Sequence, residues 1–161
     1  MRKTLNGMRN RGNEDRGFTM IELLVVVVII GVLVAIAVPV YLNYRKGAAN
    51  KSAAADVRSA ITAVEQYYTD NGNAYPAAPA PLVSADGVLK LTGGSEQTIT
   101  VSPGNVLAYQ NYLKDGTAAS YRLCAINTDG GQMYRYDSGV GGSVIKFTGS
   151  NAATCATTAS A

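Results

Sequence analysis

The chain contains no histidine and no tryptophan. Histidine is the commonest general base near neutral pH and a principal metal ligand. Its absence removes histidine-based triads and most zinc sites. No enzyme activity, cofactor or metal is therefore expected. Charge is sparse, at 16% of residues, and its excess lies at one end. Residues 1–17 hold Arg2, Lys3, Arg9, Arg11 and Arg16 against Glu14 and Asp15, while the rest carries nine basic and nine acidic side chains. A nucleic-acid surface needs basic charge clustered on the folded part, so no specific nucleic-acid partner is expected. A basic segment directly before an apolar run instead holds an N-terminus on the cytoplasmic side of a membrane. Cysteine occurs twice, at Cys124 and Cys155, outside any CxxC motif, which argues against metal and thioredoxin chemistry. In an exported domain a disulfide is natural, and closing a loop of this length would contribute about 3–4 kcal/mol in the chain-entropy model. Two separate buried thiols are the alternative.

The apolar residues are concentrated in one stretch. No charge occurs between Leu23 and Tyr44, a run of 22 residues that starts directly after Glu22. About 20 apolar residues span a bilayer as a helix. The run is rich in β-branched residues but far too long for one strand, and a lone strand cannot satisfy its backbone in lipid. Tyr41 and Tyr44 stand at its end, where aromatic rings favour the membrane interface, and Arg45 and Lys46 close it. From 48 to 70 the pattern becomes amphipathic: Val57, Ile61, Val64 and Tyr68 fall on one helix face, and Asn71-Gly72 is a stop signal. The two stretches predict a single helix from about Thr19 to Asp70. Residues 71–97, with Pro76, Pro79 and Pro81, read as a connecting loop. Strand character follows at 98–102, 106–114, 120–127, 133–137 and 143–148, separated by turns such as Asp115-Gly116. Residues 149–161 read as a small polar tail. The expected fold class is α+β: a long N-terminal helix packed on an antiparallel sheet of about four strands. The expected organisation is a leader at 1–17, a membrane or filament-core half-helix at 18–47, and a globular head at 48–161.

The segment Gly17-Phe18-Thr19-Met20-Ile21-Glu22-Leu23 resembles the prepilin cleavage and methylation motif of type IV pilins and type II secretion pseudopilins. Tyr67–Pro76, YYTDNGNAYP, also looks like the end of a pilin helix. The close resemblance covers roughly residues 16–45. It implies cleavage after Gly17 by a membrane-embedded prepilin peptidase and N-methylation of Phe18 by the same enzyme. It implies that Glu22 is the acidic residue used in assembly, and that Pro39 belongs to the family's apolar helix. It implies that Cys124 and Cys155 bound a disulfide region. It further implies a helical homo-oligomer, built with a platform protein and an assembly ATPase. The precursor would be a single-pass membrane protein with a cytoplasmic leader, and the product an extracellular filament.

The residues support this by themselves. A carboxylate in a membrane segment costs about 2.5–3.5 kcal/mol on insertion scales, so it is usually partnered or functional. Cleavage at Gly17 would create an amine at Phe18, which Glu22 of a neighbouring copy can pair. Pairing would set register, since a subunit out of step leaves a charge unpaired. The alternative is a Glu22 simply solvated at the headgroup boundary. Gly31 and Pro39 are the weak points of the helix. The resemblance suggests that the stretch between them melts in the filament, and a mildly kinked continuous helix is the other reading. A secreted ligand-binding protein cut after Ala37, at Ala35-Ile36-Ala37, is a rival that leaves the Gly17 motif unexplained. Within the family, the cysteine pair favours pilin over pseudopilin, and the choice between major and minor pilin stays open. Adhesion, twitching, DNA uptake and secretion stay open. Weaker features have ordinary explanations. Asn50-Lys51-Ser52 is a sequon on a helix, Asp129 and Asp137 are turn residues in place of a calcium loop, and the ten tyrosines pack the sheet and subunit contacts.

Overall fold

The computed structural model describes residues 17–158. The basic leader, apart from Gly17, lies outside the described residues. Helix α1 runs Met20–Asp70, through both Gly31 and Pro39. Pro39 has no N–H to donate to the carbonyl of Ala35, yet the helix continues past it. Two compact units meet between Val40 and Tyr41. In the first, every large apolar side chain from Phe18 to Val40 is exposed. α1 is long and apolar enough to cross a membrane.

In the second unit α1 turns amphipathic and buries one face. Ala53, Val57, Ala60, Val64 and Tyr67 are buried, at helical spacing. The stripe expected from Val57, Ile61, Val64 and Tyr68 is thus rotated: Ile61 and Tyr68 are half-buried and Tyr67 points inward. Ala53 and Ala60 lie fully buried in the core that α1 shares with the sheet. The helix stops where Gly72 and Asn73 turn to positive φ, 65° and 62°. Asn71 ties this end to the following loop, accepting from Ser95 N on Oδ1 at 2.6 Å.

The main sheet has five antiparallel strands in the order β1 (Leu82–Val83), β4 (Asn105–Lys114), β5 (Ala118–Asn127), β6 (Met133–Asp137), β7 (Ile145–Phe147). β2 (Val88–Leu91) and β3 (Gln97–Thr100) form a separate two-stranded sheet. The β4–β5 hairpin is central, with Tyr109 opposite Leu123 and Ala108 opposite Cys124. Because strand side chains alternate between faces, β5 serves two cores. Tyr121, Leu123 and Ala125 pack with Val57 and Val64 of α1. Cys124 faces the other way, with Ala108, Met133, Ala152, Cys155 and Ala156.

Three features correct the sequence expectation. The stretch 71–97 is not all loop. Val88-Leu89-Lys90-Leu91 alternates, burying Leu89 and Leu91, after the Asp86-Gly87 turn. The strand expected at 98–102 pairs with β2 and not with the main sheet. The tail holds a short helix, α2 (Ala152–Thr157), capped by Asn151, whose Oδ1 accepts from Ala153 N at 2.9 Å and Thr154 N at 3.2 Å. The Cys124–Cys155 disulfide fastens α2 to β5.

Six tyrosines, Tyr67, Tyr75, Tyr109, Tyr121, Tyr134 and Tyr136, pack in or against the first core, whereas Tyr41 and Tyr44 are exposed. Tyr121 lies against Tyr75, Tyr109 and Tyr136 with ring centroids 4.9–6.0 Å apart. Its hydroxyl donates to Glu65 Oε1 at 2.7 Å, and that of Tyr109 to Pro76 O at 2.9 Å. Burial pushes both phenols well above their ordinary range; beside Tyr121, the Glu65 carboxylate adds to the effect.

Candidate cleavage and assembly site at the start of the helix

Gly17, Phe18 and Thr19 precede α1 and lie outside its helical backbone. Phe18 is 87% exposed. Among the described residues, an added Cβ at Gly17 would meet nothing within 4 Å. Ala37, the cut site of the rival reading, lies inside α1 instead.

Thr19 and Glu22 form a reciprocal cap over the first turn. Glu22 Oε2 accepts from Thr19 N at 2.9 Å and from Thr19 Oγ1 at 2.8 Å. Glu22 N in turn donates to Thr19 Oγ1 at 3.3 Å. This is a capping box, in which a threonine and an acidic residue three positions on satisfy each other's orphaned backbone groups. The sequence signal Thr-x-x-Glu before an apolar run was present, but Thr19 was not singled out. Both bonds to the carboxylate fall on Oε2. Oε1 takes no hydrogen bond among the described residues. One oxygen of Glu22 therefore orders its own helix start while the other faces outward.

A family model described as the prokaryotic N-terminal methylation motif matches residues 13–38. The type II secretion system core protein G of Pseudomonas aeruginosa is 34% identical over 128 residues, covering 73% of this chain and 86% of that protein. The chain belongs to the type IV pilin and pseudopilin family. Core protein G of Pectobacterium carotovorum is 38% identical over 44% of this chain and 45% of its own length. A type IV major pilin protein of Neisseria gonorrhoeae is 36% identical over 58% of the chain and 43% of its own. The matched stretch thus spans less than half the length of these two relatives. No solved structure matches the chain.

The remaining predicted residues lie elsewhere in this family frame. Gly31 and Pro39 are interior to α1, and among the described residues nothing lies within 4 Å of a Cβ added at Gly31. Cys124 and Cys155 sit on the sheet face away from α1. The carboxylates of the calcium-loop alternative are engaged by arginines. Asp129 accepts from Arg45 at 2.9 Å, and Asp137 Oδ2 from Arg122 at 2.7 Å and Arg135 at 3.0 Å. Among the described residues, no group of three or more acidic or cysteine side chains could hold a metal. Asn50 of the sequon lies on α1, its Oδ1 accepting from Gln132 N at 3.0 Å.

Proposed function

We propose that the chain is a structural, non-enzymatic subunit of an extracellular type IV pilus. In this reading it is made as a membrane-inserted precursor with its leader in the cytoplasm. A prepilin peptidase cuts between Gly17 and Phe18 and methylates the new amine. A platform protein and an assembly ATPase then move the subunit from membrane to filament. The observation that carries the reading is the half-occupied carboxylate of Glu22 at the exposed start of an apolar helix. Its open Oε1 suits the Phe18 amine of a neighbouring copy, and the unpaired alternative is penalised in an apolar filament core. Lipid and filament core are both apolar, so association there is driven by packing and polar pairing. The Cys124–Cys155 disulfide, which closes the C-terminal segment, favours a pilin over a pseudopilin. A second reading, a secretion pseudopilin, is favoured by the greater coverage of the Pseudomonas core protein G. Deleting the gene separates them. Loss of surface filaments that label with antibody to this chain, with protein secretion intact, supports the pilus. Loss of secretion with no change in surface filaments supports the pseudopilin.

A further inference from the structure

Arg45 and Lys46 are the first cations after the uncharged run, and the turn between β5 and β6 brings one carboxylate to them. Arg45 Nη2 donates to Asp129 Oδ2 at 2.9 Å. Leu42, Arg45, Lys46 and Asp129 line one cleft, and Tyr41 and Tyr44 nearby are exposed.

The turn does not need this ion pair to keep its place. Asn127 Oδ1 accepts from Asp129 N at 2.9 Å and Gly130 N at 3.2 Å, and Gln132 N donates to Asn50. Gly130 sits so close to α1 that an added Cβ would lie 2.2 Å from Asn50 Oδ1. Asp129 is thus presented to Arg45 by a turn already fixed. The pair itself is open to solvent, with side chains 62% and 61% exposed. Such a pair contributes little in water and yields to a stronger partner.

A phosphodiester of a membrane surface fits that description through its high local density and its forked contact with a guanidinium. Arg45 and Lys46 lie about 5–6 Å along the helix axis beyond Leu42, which is about the depth of a headgroup layer outside the hydrocarbon core. Tyrosine prefers the same layer. A guanidinium matches phosphate oxygens in a fork, and a second phosphate oxygen can serve Lys46, which Asp129 does not pair.

We propose that, in the membrane, Arg45 and Lys46 bind the phosphate of a phospholipid headgroup, and that Asp129 takes over Arg45 when the chain leaves lipid. Arg45 then has an anionic partner in both settings. The inference rests on reading the chain as a membrane-inserted precursor.

The test uses the full chain, with its arginines carbon-13 labelled, in phosphatidylethanolamine–phosphatidylglycerol nanodiscs. Carbon–phosphorus dipolar dephasing by solid-state NMR reads contact with the headgroup. Beyond the signals of the leader arginines, one guanidinium signal is expected to lose most of its intensity, to vanish in Arg45→Lys, and to dephase at least as strongly in Asp129→Asn. In uncharged detergent, inorganic phosphate is expected to leave that signal unshifted; a shift there would make the site one for free phosphate and overturn the lipid assignment. Carbonate-resistant insertion with no dephasing at Arg45 would overturn the inference while leaving the membrane reading standing. Failure to insert would overturn both.

Discussion

Thr19 and Glu22 hydrogen-bond each other in both directions across the first turn of α1. The same carboxylate is therefore asked to cap its own helix and, in the proposed filament, to pair a neighbour's amine. The two roles separate by substitution. Glu22→Gln keeps an acceptor for Thr19 but removes the charge, whereas Thr19→Ala removes the cap and keeps the charge. Leaving the amine unpaired costs about 1–3 kcal/mol per subunit, so Glu22→Gln is expected to lower sheared-filament yield by about tenfold or more. Thr19→Ala weakens only the helix start, by about 1 kcal/mol, and is expected to lower the yield less. Immunoblots of sheared material measure both. A Glu22→Gln yield close to that of the unaltered chain, with a loss no greater than that of Thr19→Ala, would assign Glu22 to capping alone.

The disulfide holds α2 on the sheet. Cys124 and Cys155 are 31 positions apart, and opening a loop of that size is expected to lower stability by about 3–4 kcal/mol. Cys155→Ser should show this as a lower urea midpoint of the mature chain in detergent. α2 amides should also gain hydrogen exchange while those of β4 keep their protection.

Asp56 links the buried face of α1 to the loop before β4. Its carboxylate accepts from Ser102 N and Ser102 Oγ, both at 2.8 Å, and from Asn105 Nδ2 at 2.6 Å. Asn105 passes the link on to Asn127 Nδ2 at 2.6 Å. Asp56→Ala strands these donors in a poorly hydrated site and is expected to cost about 2 kcal/mol or more, read from the same urea midpoints. A change below about 0.5 kcal/mol, the level of an ordinary surface substitution, would mean that water replaces the carboxylate.

Tyr109 and Tyr121 set an alkaline limit. Their folded pKa values lie above the ordinary tyrosine value, so the folded state holds these protons more tightly than the unfolded chain. Their contribution is fully present below the unfolded pKa, about 10, and is lost as pH rises above it. Stability is expected to stay level up to about pH 9 and then fall by about 1.4 kcal/mol per pH unit for each such tyrosine. Urea midpoints between pH 7 and 11 measure the fall, and Tyr109→Phe should make it shallower. An unchanged slope would remove Tyr109 from the account.

Long-range patterns were legible in the sequence and short or shared ones were not. The uncharged run, the Val57 and Val64 spacing and the Asn71-Gly72 stop outlined α1, and tight turns outlined β4, β5 and β6. The precise face of α1 was misread by one position because Tyr67 and Tyr68 are the same residue type, and small Ala53 and Ala60, which are buried, carry little hydrophobic signal. α2 escaped because six residues give too little periodicity, although Asn151 was a visible cap. β1 escaped because Leu82–Val83 follows Pro81 and reads as loop. At the site, Gly17, Phe18 and Glu22 stood out through the resemblance of their segment to the prepilin motif. The cap made by Thr19 and the Asp137 cluster with Arg122 and Arg135 did not. The cap was signalled locally by Thr-x-x-Glu and overlooked, whereas the Asp137 cluster depends on which strands lie side by side, and only the fold supplies that.

The central claim is that the chain is cut at Gly17 and built into a filament. Intact mass and N-terminal sequencing of protein sheared from the cell surface test it most directly. The account predicts a chain beginning at Phe18 and carrying one methyl group on its amine. A chain beginning at Val38, or one that retains Met1, would contradict it.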